Sequence, residues 1–197
     1  MLSNETVFVS KTFKHLVLTG EEFQGKEFDS CTFTECDFSN VVFKSCKFID
    51  CQFAQCNLSN LKVSYSKFSN IEFEDCKMIG IDWTKASWPR FDLNTPFKMY
   101  KCLINDCSFY GLNMEELLLD ECRAHDVDFR GGNFQFSNFS YTDFSQSLFH
   151  KTNLKGADFS ESINYDIDIF TNEIKDAKFT RIEAVRLLEC IGIELVD

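Results

Sequence analysis

From Phe28 to Phe53 the chain reads "FDSCTFTECDFSNVVFKSCKFIDCQF", with phenylalanine at every fifth residue. A five-residue step turns a helix through about 500° and sends alternate members to opposite faces of a strand, so neither regular element has a use for it. The period therefore belongs to a repeat architecture. With the large residue as position i, the series starts at Phe8, Phe13, Leu18 and Phe23 and runs to Trp83, Trp88 and Leu93. After one six-residue step it resumes at Met99 and Ile104 and continues to Asn164, Ile169, Ile174 and Phe179. Nineteen of the 23 phenylalanines obey this register, which commits nearly all of them to one interior. Position i−2 is smaller, as at Cys31, Cys36, Val41, Cys46 and Cys51, and later Ser137, Thr142 and Ser147; the remaining three positions are mostly polar.

This pattern resembles the pentapeptide-repeat family, whose consensus is a small residue, Asp or Asn, then Leu or Phe, then two polar residues. "ADFSE" from Ala157 and "TNLKG" from Thr152 carry the resemblance closely, and the register extends it over residues 8 to 180. The resemblance implies an all-β solenoid, a right-handed quadrilateral β-helix of about eight coils. Each pentapeptide is one side of a square, with i and i−2 turned inward and coils bonded at the sheet spacing of about 4.8 Å. Lys11, Glu21 and Lys26 occupy small positions in the first coil, as suits a cap that discourages end-to-end pairing of strand edges.

The expected organisation is N-terminal coils over 1–88, a kink or short loop over 89–99, C-terminal coils over 100–180, and a capping and dimerising tail over 181–197. Both prolines, Pro89 and Pro96, fall in the irregular segment, where Phe91 and Phe97 intrude on small positions. In the tail, "RIEAVRLLECIGIELVD" loses the five-residue period. Ile182, Ala184, Val185, Leu187, Leu188 and Ile191 recur at helical spacing and Gly192 is placed to stop an α-helix. The apolar surface is wider than one core-facing stripe needs. Ile182, Val185, Leu188, Ile191, Ile193 and Leu195 are therefore the expected interface of a homodimer, with a helix that only caps its own coil as the alternative.

The ending "AVRLLECIGIELV" is similar to that of the Qnr, McbG and MfpA branch of the family. That resemblance implies a dimeric rod that binds DNA gyrase or topoisomerase IV in place of DNA. Charge placement bears on this independently. Of 31 acidic and 20 basic residues, 18 and nine lie in 101–197, so most of the net charge of −11 is on that half. Counting by twenties places Asp106, Asp126 and Asp166 on one outward face with Asp143, and Asp120, Glu121, Asp158 and Glu161 on the face before it. These are the candidate topoisomerase-binding acids; simple solvation of the surface is the alternative.

No metal or cofactor is expected from the ten cysteines. Nine sit at i−2 with C-x4-C spacing rather than the paired C-x2-C of zinc sites, and a reduced thiol packs as a small hydrophobe. The histidines His15, His125 and His150 fall on outward positions of different coils, and no phosphate-binding or metalloprotease signature is present, so an enzyme is not expected. The charge argues against direct nucleic-acid binding. No apolar run approaches the roughly 18 residues of a membrane span, and "MLSNETVFVS" lacks the form of a signal peptide, so a cytoplasmic location is expected. A passive scaffold or a module for some other protein partner is the rival reading.

Overall fold

The structure is a computed structural model that describes residues 5–88 and 97–193. Its strands are short, mostly three residues with the middle one buried, and they pair in parallel at a separation of one coil. On the first face Phe8, Phe28, Phe48 and Phe68 are successive partners. On the second, Phe13, Phe33, Phe53, Phe73, Met99 and Leu119 form one six-stranded ladder. The third face begins at Leu18, Phe38 and Leu58, and the fourth at Phe23, Phe43 and Val63.

Stacking coils puts each ring over the ring twenty residues earlier. Phe8, Phe28, Phe48 and Phe68 follow one another at 5.0, 4.9 and 5.2 Å with nearly parallel planes. These distances match the coil spacing of about 4.8 Å that backbone bonding imposes. Rings on adjacent faces meet edge to face, as Phe28 and Phe33 do at 5.5 Å. The result is one continuous core, and burial of each ring is worth about 1.5 to 3 kcal/mol.

The polar positions have structural duties. Residue i+2 turns the corner with φ near +55°, as at Asn40, Asn60, Asp75 and Glu121, which explains the taste for Asn, Asp and Gly there. At i−1, Asp or Asn accepts the N–H of i+1: Asp37 from Ser39 at 2.8 Å and Asp158 from Ser160 at 2.9 Å.

The small inward position does more than fill space. Ser66 Oγ donates to Phe43 O and accepts from Cys46 N, both at 2.9 Å, serving two backbone groups of the preceding coil. Thr142 Oγ1 does the same for Leu119 O and Cys122 N at 3.2 Å. Thiols repeat the arrangement at sulfur distances: Cys56 Sγ lies 3.5 Å from Phe33 O and 3.4 Å from Cys36 N. Cysteine here is a weak hydrogen-bonding group as well as a small hydrophobe. Nine of the cysteines are buried and free, and burial pushes the thiols of Cys51 and Cys107 up to about 12. Thr142→Val keeps the shape but strands both backbone groups, so it is expected to cost about 1 to 3 kcal/mol in urea denaturation. Thr142→Ser keeps both bonds and should cost about 1 kcal/mol or less for the lost methyl. Equal losses would remove the hydrogen-bonding role.

Two departures from the repeat correct the sequence expectations. Phe73 pairs with Met99, Lys77 with Leu103 and Asp82 with Ser108, each 26 residues apart rather than 20. The chain therefore gains six residues, not one; five of them restore the pentapeptide phase and hide in the periodicity. Trp88 still packs on Phe68 at 6.2 Å, and Phe97 enters the next small position fully buried. Of the kink or short loop expected over 89–99, residues 97–99 belong instead to the strand Phe97–Tyr100, and 89–96, with Phe91 and both prolines, lie outside the described residues.

The second departure is in the last coil. Asp143 pairs with Ile163 at a separation of 20, Phe149 with Ile167 at 18, and Asn153 with Glu173 at 20. Two residues are lost at one corner and regained at the next. Tyr165 and Ile167 are consequently buried where Asn164 and Ile169 were expected to be the inward residues, Asn164 becomes the corner with φ 59°, and Phe170 is left 73% exposed.

The tail over Glu183–Ile191 is a 3₁₀ helix, not the expected α-helix. A three-residue turn sorts this sequence into rows. Ile182, Val185, Leu188 and Ile191 are exposed, Leu187 packs on the core, and Glu183 and Arg186 bond to Asn164 and to each other. At the opposite end Lys26 is buried at a small position with Nζ 2.5 Å from Glu5 O, whereas Lys11 and Glu21 are exposed.

Candidate functional site

The acids of the C-terminal coils divide by repeat position. Asp106 and Asp126 stand on successive turns of one corner, exposed, at φ 58° and 56°. Glu121 and Glu161 occupy another corner. Glu121 lies 4.0 Å from Lys101, and Glu161 accepts from Thr180 Oγ1 at 3.3 Å. Asp120 is half-buried and accepts from Ser140 Oγ at 3.2 Å. Asp158 sits at i−1, where it holds Lys178 at 2.9 Å.

Asp143 is the most constrained of the set. Its carboxylate accepts from Asn164 Nδ2 at 2.9 Å and Ser145 Oγ at 2.7 Å, and meets His125 Nε2 at 2.7 Å. Partial burial would raise its pKa, but the hydrogen bonds from Asn164, Ser145 and His125 outweigh that and hold it at about 2. Arg123 Nε donates to His125 Nδ1 at 3.2 Å, so both ring nitrogens are engaged.

The two-residue slip overturns one placement. Asp166 follows the shortened corner and occupies the position of Leu148 on the fourth face; the corner after Gln146 is Asn164. The expected column of Asp106, Asp126 and Asp166 is therefore a pair, and Asp143 beside it is turned to internal bonds. Once residues are assigned by observed register, no single acidic stripe remains. Over 101–180 the third face has Asp106, Asp126 and Asp143 against Arg123, and the second has Asp120, Glu121, Asp158 and Glu161 against Lys101 and Lys178. The fourth has Asp128, Asp166 and Asp168 against Arg130 and Lys151, and the first has Glu115, Glu116, Glu173 and Asp176 against Lys155 and Lys175. Every face is negative by one or two charges.

Of the expected dimer residues, Ile182, Val185, Leu188, Ile191 and Ile193 are exposed by 81, 44, 38, 42 and 48%, and Leu195 lies outside the described residues. The slip also opens a cavity of about 380 Å³ between Gln146, Tyr165, Asp166 and Arg186. Among the described residues no cluster of His, Cys, Asp and Glu could hold a metal, and no helix is long and apolar enough to cross a membrane. Two exposed aromatics that the register did not single out, Phe136 and Tyr141, also stand on corners of these coils.

The family model for the pentapeptide repeat region matches residues 26–97 and 92–159. The chain belongs to the pentapeptide-repeat family. Among solved structures, a trypsin-treated variant of QnrB1, described as a plasmid-mediated fluoroquinolone resistance protein, superposes with a TM-score of 0.71 at 22% identity, covering 96% of this chain and 97% of that one. Full-length QnrB1 gives 0.61 at 24% identity, covering 92% and 100%. The chain is thus similar to QnrB1 in fold over nearly its whole length. No curated protein gives a significant match.

Proposed function

We propose that this pentapeptide-repeat protein is a non-catalytic mimic of duplex DNA that binds a type II topoisomerase, DNA gyrase or topoisomerase IV, and shields it from quinolones or a gyrase-directed toxin. The observation that carries the reading is the charge of the C-terminal coils. Residues 101–180 have a net charge of −7. Spread over four coils, roughly 19 Å at sheet spacing, that is about one net charge per 2.7 Å, against about one per 1.7 Å of duplex. A channel shaped for DNA meets negative charge on every side of its ligand, so a rod negative on all four faces suits it without a stripe. The fold likeness to a protein described as conferring fluoroquinolone resistance supports the quinolone side of this reading.

The protein would act in the cytoplasm as a homodimer. The row Ile182, Val185, Leu188 and Ile191, continued by Ile193, would join two copies end to end into a longer rod with the acidic coils flanking the centre. The rival, a scaffold for another partner, draws on one observation: Asp143 and Asp158 are engaged in the fold's own bonds, so part of the acid content serves structure.

Direct binding separates the two. Asp106→Lys with Asp126→Lys reverses two exposed corner charges and takes the C-terminal coils from −7 to −3. Binding to purified gyrase at low salt is expected to weaken at least about tenfold, and wild-type binding should fall steeply as salt rises. Affinity unchanged by both reversal and salt would favour the scaffold.

A further inference from the structure

We propose that Phe136 and Tyr141 form a docking site for a lysine- and arginine-bearing surface of a protein partner. Most residues with positive φ in this protein are the small or polar ones that such a corner tolerates. Phe136 and Tyr141 adopt φ 57° and 55°, as Tyr65 does in the N-terminal coils at 58°, yet a bulky side chain is disfavoured there. Neither gains much burial in return, since they are 53 and 61% exposed. They stand at the two ends of one strand segment on the second face, so one flat wall between two corners presents both rings.

The Phe136 ring is also pre-set. It lies along its corner over Gly156 of the next coil, where an added Cβ would stand 2.6 Å from Phe136 Cδ1. The charges around the rings choose the occupant. Glu116 precedes Phe136 by one coil on the same corner, and Glu121 and Glu161 lie one coil before and after Tyr141. Lys101 and Lys178 on this face are paired with Glu121 at 4.0 Å and Asp158 at 2.9 Å, and the face stays negative by two charges. Aromatic rings between carboxylates attract guanidinium and ammonium groups through both the ring quadrupole and the local field. This deepens the proposed function by naming the contacting face, and rests on it only in requiring a basic protein partner.

The test titrates the full chain with octa-arginine amide, followed by backbone amide shifts, in parallel with binding to gyrase. Shifts are expected to centre on Phe136 and Tyr141. Phe136→Asn with Tyr141→Asn should weaken the peptide about tenfold, while Tyr65→Asn, a change at an exposed corner aromatic far from these acids, leaves it unaltered. Because Asn suits the corner, the double variant should melt at or above the wild-type temperature. If loss of the Phe136 ring over Gly156 prevents folding, Tyr141→Asn alone carries the test, with an expected loss of about threefold. Peptide affinity within about twofold of wild type would overturn the proposal. Wild type that fails on gyrase while the peptide still discriminates would defeat the topoisomerase reading and leave the docking site standing. Gyrase and peptide binding that both ignore the double variant would do the reverse.

Discussion

Replacing Phe129 with alanine is expected to destabilise the protein by about 3 to 5 kcal/mol, the range for deleting a fully buried aromatic side chain. Phe129 is wholly buried. It stacks between Phe109 at 5.6 Å and Phe149 at 5.0 Å, and meets Phe134 and Phe144 edge to face at 5.3 and 6.0 Å. Neighbouring coils cannot close the gap, because their spacing is fixed by backbone bonds. In a solenoid each coil is stabilised only by its neighbours, so the loss should appear first in the C-terminal coils and broaden the transition. Urea unfolding monitored by circular dichroism gives the magnitude. Phe149→Leu, which keeps most of the volume, should cost far less; a cost below about 1 kcal/mol for Phe129→Ala would mean that the column does not hold the coils together.

Val185→Asp with Leu188→Asp is expected to abolish dimerisation, since it places two carboxylates in the exposed row that would face its symmetry mate. Light scattering should then report 22.9 kDa instead of twice that mass at micromolar concentration. The fold should survive, because Leu187, the member of the tail that packs on the core, is untouched. Gyrase binding should fall with the dimer, since the acidic rod is halved. A variant that keeps the doubled mass would place the interface elsewhere, and a wild type that is monomeric would restrict the tail to capping.

The repeat was legible because every fifth residue must enter one narrow core, where a large apolar side chain usually meets a small partner. What escaped the reading followed from the same arithmetic. A six-residue insertion before Phe97 shows as a single extra residue, since five of the six restore the phase. A loss of two residues before Tyr165, made good before Asn172, leaves the count unchanged outside the last coil, so counting by twenties sets Asp166 beneath Asp126. The tail row of Ile182, Val185, Leu188 and Ile191 fits both a 3.6-residue and a three-residue turn, and spacing alone could not choose between them. The i−1 and i+2 positions recruit Asp, Asn and Glu for turn chemistry, so Asp143 looked like a surface charge although it is bound to Asn164, Ser145 and His125. Phe136 and Tyr141 share exposure at a costly backbone angle with Tyr65, and what sets them apart is their place at the two ends of one segment among Glu116, Glu121 and Glu161, a placement that needs coordinates.

We propose competition between the acidic rod and DNA for a topoisomerase. Its most direct test is gyrase supercoiling of relaxed plasmid, with and without a fluoroquinolone, titrated with the dimer at low and at high salt. Relief of drug-induced cleavage is expected, with inhibition of supercoiling at higher protein concentration, both fading as salt rises and both reduced by Asp106→Lys with Asp126→Lys. Supercoiling and cleavage that stay unchanged at low salt, at protein concentrations well above that of the enzyme, would contradict it.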